Sequence, residues 1–151
     1  MRRRKNEMNR MRLILPAISV NEGAARAAVA AFCVQLNPSV TELADIKCAV
    51  SEAVTNCIVH AYARSAGEIY ITVLLLRGGT VRVIVRDKGC GIADVQQARE
   101  PLFTTDPAGE RSGMGFAVME NFMDGLTVHS RVGKGTAVIM TKRIYGQRQE
   151  E

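Results

Sequence analysis

The chain is predicted to be an α+β protein, a two-layer sandwich with helices on one face of a mixed, mostly antiparallel sheet. Three observations predict it. Alternating apolar runs come in two pairs, each joined by a glycine turn, Gly78-Gly79 in one and Gly133-Lys134-Gly135 in the other, the pattern of β-hairpins. Apolar residues at helical spacing fill the segments before and between the pairs. Neither an internal repeat nor an interdomain linker interrupts the 151 residues, a length that forms one domain burying about 70% of the unfolded chain's surface.

Each element has its own signal. Leu13 to Val20 reads as a first strand. Asn21 is placed to cap an alanine-rich helix running to about Leu36 and broken at Asn37-Pro38. The second helix is predicted from about Val40 to Tyr62, ending before Gly67. Glu68 to Leu76 and Thr80 to Arg86 make the first hairpin. A short helix near Asp94 to Arg99 leads into a loop over 100–113, whose threonines, Pro107 and glycines suit a lid. A third main helix follows from about Gly115 to Asp124. Leu126 to Val132 and Thr136 to Ile144 complete the last hairpin. The expected organisation is a basic tail or extension over 1–12, a single domain over 13–144 and a polar tail over 145–151.

Composition excludes several classes. The formal charge of +5 is carried entirely by Arg2, Arg3, Arg4, Lys5, Arg10 and Arg12 against Glu7, and the rest of the chain is neutral. With 5% aromatic residues, no Trp and no basic helix bearing stacking aromatics, direct nucleic-acid binding is not expected. No run is long and apolar enough for a membrane span and no signal peptide is apparent. Cys33, Cys48, Cys57 and Cys90 lack the close pairing of a zinc or redox motif. The first three fall on predicted helices among apolar neighbours, where a thiol acts as a small hydrophobe, so a reducing cytoplasm is expected. Cys90 belongs to a loop that should border a ligand. Arg26 reads as a solvated helix charge, with contact to a partner as the alternative.

Three segments carry chemistry. In Asp87-Lys88-Gly89-Cys90-Gly91-Ile92, a carboxylate stands beside two glycines at the exit of the strand Thr80–Arg86. The glycines remove bulk and would allow close backbone approach to a flat ligand. The carboxylate can accept a hydrogen bond from an exocyclic amino group such as that of adenine; by itself the pattern also fits an ordinary Asp/Gly turn. Upstream, Glu52, Asn56 and His60 recur four residues apart and share one line of a helix. An amide oxygen suits Mg²⁺, and a carboxylate beside it can orient or deprotonate a hydroxyl or a water. The same spacing also describes a solvated polar stripe. Finally, Gly113-Met114-Gly115 lies where a loop becomes a helix, so its amides form an anion site to which Arg111 can add a phosphate contact. An ordinary flexible loop closed by a helix start remains the alternative. The Rossmann and P-loop fingerprints fit poorly, and the H-R-D and D-F-G motifs of eukaryotic-type protein kinases are absent.

Taken in order, these segments resemble the N box and the two glycine boxes of the GHKL ATPase/kinase superfamily. The chain is most similar to its bacterial serine-kinase anti-sigma branch through Ser-Glu-Ala-Val-Thr-Asn at 51–56, Pro-Leu-Phe-Thr-Thr at 101–105, Glu-Arg-Ser-Gly-Met-Gly-Phe at 110–116 and Met-Glu-Asn-Phe-Met-Asp at 119–124. The similarity runs from about Lys5 to about Lys142. Ala61 stands where the family often has Gly, and Lys88 and Cys90 occupy variable positions. The resemblance implies a GHKL ATP-binding kinase domain over 13–144, with ATP and Mg²⁺ as cofactors. It assigns Glu52 to a substrate serine hydroxyl, Asn56 to Mg²⁺, and Asp87 to the adenine amino group. Gly91 and Thr136 would border the base, the latter through water. Arg111 and the amides near Gly113 and Gly115 would hold phosphates, with Thr105 and Met114 in the same nucleotide-binding set. It further implies a homodimer that sequesters an RNA polymerase sigma factor of the sporulation F type when ATP is bound. That homodimer would also phosphorylate a serine of an anti-anti-sigma protein. An ATPase clamp and a non-catalytic nucleotide-dependent sigma-binding module are the alternatives.

Overall fold

The structure, a computed structural model, describes residues 4–100 and 115–146. Five strands form one open sheet in the order β1-β2-β3-β5-β4: β1 Glu7–Pro16, β2 Glu68–Leu76, β3 Thr80–Arg86, β4 Gly125–Arg131 and β5 Gly135–Arg143. All four pairings are antiparallel, so the parallel pair that a mixed sheet would contain is not made among the described residues. The inner face is written in the alternation of β2 and β3, where Ile69, Ile71, Val73 and Leu75 lie beside Val81, Val83 and Val85, all buried. On it rest α1 (Val20–Cys33), α2 (Val40–Asn56) and α4 (Gly115–Phe122), which contribute Val29, Ile46, Val50, Val54 and Met119 to the same core. A one-turn helix, α3 (Val95–Ala98), follows the loop after β3. Among the described residues no helix is long and apolar enough to cross a membrane.

Several boundaries depart from expectation. The first strand begins at Glu7 and ends at Pro16, so residues 7–12 of the expected basic tail pair with β2, Asn9 through Arg12 lying opposite Leu75 through Thr72. The cluster of charges concealed an alternation in which Met11, Leu13 and Leu15 pack against the core. The buried Glu7 is matched there by Arg10, whose Nε and Nη2 both donate to its carboxylate. The Arg10 guanidinium holds the Glu7 carboxyl below its usual range. Ser19, rather than Asn21, occupies the cap position of α1; the Asn21 side chain reaches back to donate to the Pro16 carbonyl at 2.9 Å. The helix tightens into a 3-10 turn over Val34–Leu36 and stops at Asn37 in the left-handed region, φ 51°. Cys48 is exposed on α2 and not part of the core.

A capping box opens α2. Ser39 Oγ accepts from the Glu42 amide at 3.1 Å and the Glu42 carboxylate accepts from the Ser39 amide at 2.9 Å. That carboxylate also accepts the amides of Tyr145 and Gly146, at 2.8 and 3.1 Å. The start of the expected C-terminal tail is therefore clasped to the helix that carries the site. Burial opposes the Glu42 charge, but the hydrogen bonds from Ser39, Tyr145 and Gly146 outweigh it and hold the carboxyl below its ordinary range.

Ser39→Ala removes one half of the box and should destabilise the fold by about 1 kcal/mol. Glu42→Ala removes the other half together with the C-terminal clasp and should cost more. Urea unfolding of the two variants at neutral pH measures the order.

Candidate functional site

The end of α2, the exit of β3, the start of β5 and the first turn of α4 converge on a cavity of about 260 Å³. Among the described residues it is lined by Asn56, Cys57, Asp87, Gly91, Gly115 and Thr136, with His60 and Cys90 at its wall. Beyond Asn56 the helix widens into a π turn, Cys57–Ala61, a departure from α geometry that recurs at functional sites. Tyr62 then locks the turn. Its hydroxyl donates to the Glu68 carbonyl at 2.6 Å and accepts from the Lys88 amide at 2.8 Å. Its ring leaves no room for a side chain at Gly67, where a Cβ would lie 2.4 Å away.

The π turn aims its carbonyls at the glycine loop. Ala61 O accepts from the Cys90 amide at 2.9 Å, and Cys90 O accepts from the Gly133 amide at 2.8 Å. The loop is thereby held between α2 and the β4–β5 hairpin. A Cβ on Gly89 would lie 2.3 Å from Ala61 O, and one on Gly91, at φ +75°, would lie 2.2 Å from Arg131 O. The expectation that these glycines clear a path for a ligand needs correction on this point. Their missing side chains make room for neighbouring backbone, and Gly91 borders the cavity as a consequence.

Asp87 is 8% exposed. Its Oδ1 accepts the amides of Gly89 at 2.9 Å and Thr136 at 3.2 Å, while its Oδ2 receives the Cys57 thiol at 3.7 Å. Burial pushes its carboxyl above the usual carboxylate range, and the two amides and the thiol offset only part of that. Cys57 is likewise pushed well up, first by burial and then by the neighbouring carboxylate, so its thiol keeps its proton and acts as a donor. Thr136, at the start of β5, lies in the cavity wall.

At the other end, Gly115 opens α4 directly over α2. A Cβ there would meet Asn56 Oδ1 at 3.1 Å and Glu52 Oε2 at 3.3 Å. Glu52 and Asn56 are therefore brought together against the start of a helix. Of the line Glu52-Asn56-His60, the latter two border the cavity and Glu52 lies just beyond its described lining. Thr105, Arg111, Gly113 and Met114, with nearly all of the expected lid over 100–113, lie outside the described residues. Among the described residues no group of three or more His, Cys, Asp and Glu side chains forms a metal site. Three positions that shape the cavity's surroundings carry no clear signal in the sequence. Cys57 reads as part of an apolar stripe, Tyr62 as the end of a helix, and Ser130, whose hydroxyl accepts the Ile92 amide of the glycine loop at 2.7 Å, has no signal. Cys90 is exposed and its thiol points to the His60 and Gly91 carbonyls, whereas burial raises the Cys33 thiol to about 12.

This combination of an open sheet, a polar helix line and a carboxylate in a glycine-walled cavity is that of a histidine kinase-like ATPase domain, whose family matches residues 15–142. The chain is 52% identical to an anti-sigma F factor of Geobacillus thermodenitrificans over 136 residues, covering 90% of this chain and 93% of the relative. It is 50% identical to one from Clostridium perfringens over 136 residues, covering 90% and 97% respectively. The chain belongs to the anti-sigma F factor family of GHKL-type ATPases. Among solved structures, the RsbU and RsbW domains of a Mycobacterium tuberculosis protein superpose with a TM-score of 0.65 at 22% identity. That match covers 91% of this chain and 33% of the other and reflects a shared fold.

Because the Asp87 pKa is raised by folding, its protonated form favours the folded state. The associated stability is present in full below the unfolded pKa of about 3.9 and is lost as pH rises through the folded value. Asp87→Asn keeps an oxygen for the two amides and removes the buried charge. The ligand-free variant should match or exceed wild-type stability at pH 7, with the difference closing as pH falls toward about 4. Urea unfolding across that range reads the trend, and a large loss of stability at pH 7 would contradict it.

Proposed function

We propose that the chain is an ATP-dependent serine protein kinase that is also an anti-sigma factor. In its ATP-bound form it sequesters a sporulation sigma factor of the F type, and it transfers the γ-phosphoryl group to a serine of an anti-anti-sigma protein. It acts as a homodimer in the cytoplasm, without direct contact to nucleic acid. The observation that carries the kinase reading is the meeting of Glu52 and Asn56 against Gly115, a carboxylate and an amide oxygen at the N-terminal end of a helix, where phosphates are favoured. The names of the relatives support the sigma-factor partner.

In this reading the adenine amino group donates to Asp87, with Gly91 and Thr136 beside the base. The amides at the start of α4 face the phosphates, and Thr105, Arg111, Gly113 and Met114 complete the nucleotide set. Asn56 Oδ1, with Glu52 nearby, is an oxygen donor set suited to Mg²⁺, which takes few protein ligands and keeps waters and phosphate oxygens. Mg²⁺, when bound, supplies charge neutralisation at the phosphates. Glu52 orients the incoming serine and accepts its proton as the serine oxygen bonds to the γ-phosphorus and the bond to the ADP oxygen breaks. The thiol of Cys57 and the two amides keep Asp87 in place for the base.

Three substitutions separate the parts. Asp87→Asn should weaken ATP binding by about 1.5–3 kcal/mol, roughly ten- to over a hundred-fold, through loss of a charge-assisted acceptor; calorimetric titration of the folded variant measures it. Glu52→Gln should retain ATP and sigma-factor binding while phosphorylation of the protein substrate falls by about 10²–10⁴-fold. Asn56→Ala should weaken Mg-ATP binding and sigma capture together. The experiment follows phosphoryl transfer, phosphate release and ATP-dependent sigma capture side by side. Phosphate release without transfer to protein would favour an ATPase clamp, and sigma capture with neither reaction would favour a binding module. Wild-type phosphorylation by Glu52→Gln would remove that residue from the chemistry.

A further inference from the structure

Ser130 lies on β4, one strand away from the cavity wall, and is half-buried. Its hydroxyl nevertheless sits at the junction of the site. Ser130 Oγ accepts the Ile92 amide of the glycine loop at 2.7 Å. It lies 3.2 Å from the Gly135 carbonyl and 2.8 Å from the Thr136 hydroxyl. A serine has one proton and two lone pairs. The Ile92 amide can only donate and the Gly135 carbonyl can only accept. All three contacts are satisfied together in one arrangement alone: Ser130 donates to Gly135, and Thr136 donates its own proton to Ser130. Thr136 Oγ1 is then left with lone pairs and no free proton.

We propose that Ser130 is a specificity-positioning residue that holds the Thr136 hydroxyl as an acceptor toward the cavity. The base site then presents acceptors from two sides, the Asp87 carboxylate from β3 and the Thr136 oxygen from β5. Such a pair matches the two protons of a 6-amino group, whereas a 6-keto oxygen brings no proton of its own to either acceptor and is disfavoured. Loss of Ser130 returns the Thr136 proton to the cavity, where it can satisfy a keto oxygen directly or through a water. This inference rests on the reading that the cavity holds the base of a nucleotide.

The test compares the affinities of the full chain for ATP and for ITP, whose base has a 6-keto oxygen and an N1 proton in place of the 6-amino group and bare N1, in wild type, Ser130→Ala and Ser130→Thr. Wild type should prefer ATP. In Ser130→Ala the ratio of the two affinities should narrow by about tenfold, the scale of one mismatched buried polar contact, while the share of discrimination due to Asp87 remains. Ser130→Thr, which keeps the hydroxyl on a strand that tolerates β-branching, should restore the ratio. A serine that merely braces the glycine loop through Ile92 would weaken both nucleotides equally and leave the ratio unchanged. An unchanged ratio with ATP binding retained would therefore overturn the role of Ser130 alone. Wild-type protein that binds neither nucleotide, or both equally, would overturn the base-site reading and this inference with it.

Discussion

A single carboxylate, that of Asp87, ties the sheet to the helix layer at the point where the ligand cavity opens. It gathers an amide from the glycine loop, an amide from β5 and a thiol from the π turn that follows α2. The arrangement keeps one oxygen fully occupied by backbone and leaves the other facing a weak sulfur donor. Burial works against that charge, so the site holds a group that is poorly satisfied until something else donates to it. A stronger partner than a thiol would secure the carboxylate more firmly and leave less to gain from a ligand.

The surrounding construction serves the same end. A π turn rather than a continued α-helix brings the Ala61 carbonyl to the Cys90 amide, and Tyr62 bridges Lys88 and Glu68. Glycines appear where two backbones press together, and their absence of side chain is consumed by that packing. The cavity is thus a by-product of tightly joined main chain, which explains how a small loop can border a ligand without a large side chain to support it.

Much of this was legible in the residues. The alternation of β2 and β3 matches the sheet, and of the four-residue line Glu52, Asn56 and His60 the latter two border the cavity. Asp87 at a strand exit marked the cavity. What failed did so for identifiable reasons. Charge at Arg10 and Arg12 hid a strand whose register is satisfied by pairing with β2, and the ion pair that permits a buried Glu7 cannot be inferred from composition. Cys57 has the same periodicity as its apolar neighbours, so its hydrogen bond to a residue thirty positions away leaves no trace in spacing. Ser130 matters only because two hairpin strands and the glycine loop meet there, a tertiary coincidence.

The two hairpin tips differ in a way that bears on handling the protein. Gly78 and Gly133 both have open space where a side chain would go. Gly133, however, donates to the carbonyl of Cys90, a residue of the cavity wall, and so braces the loop that borders the site. Gly78 lies nine residues from Asp87 along an extended strand, about 30 Å away. A fluorophore or short peptide inserted at Gly78 would report on the molecule from a distance, whereas the same insertion at Gly133 would be felt at the site itself.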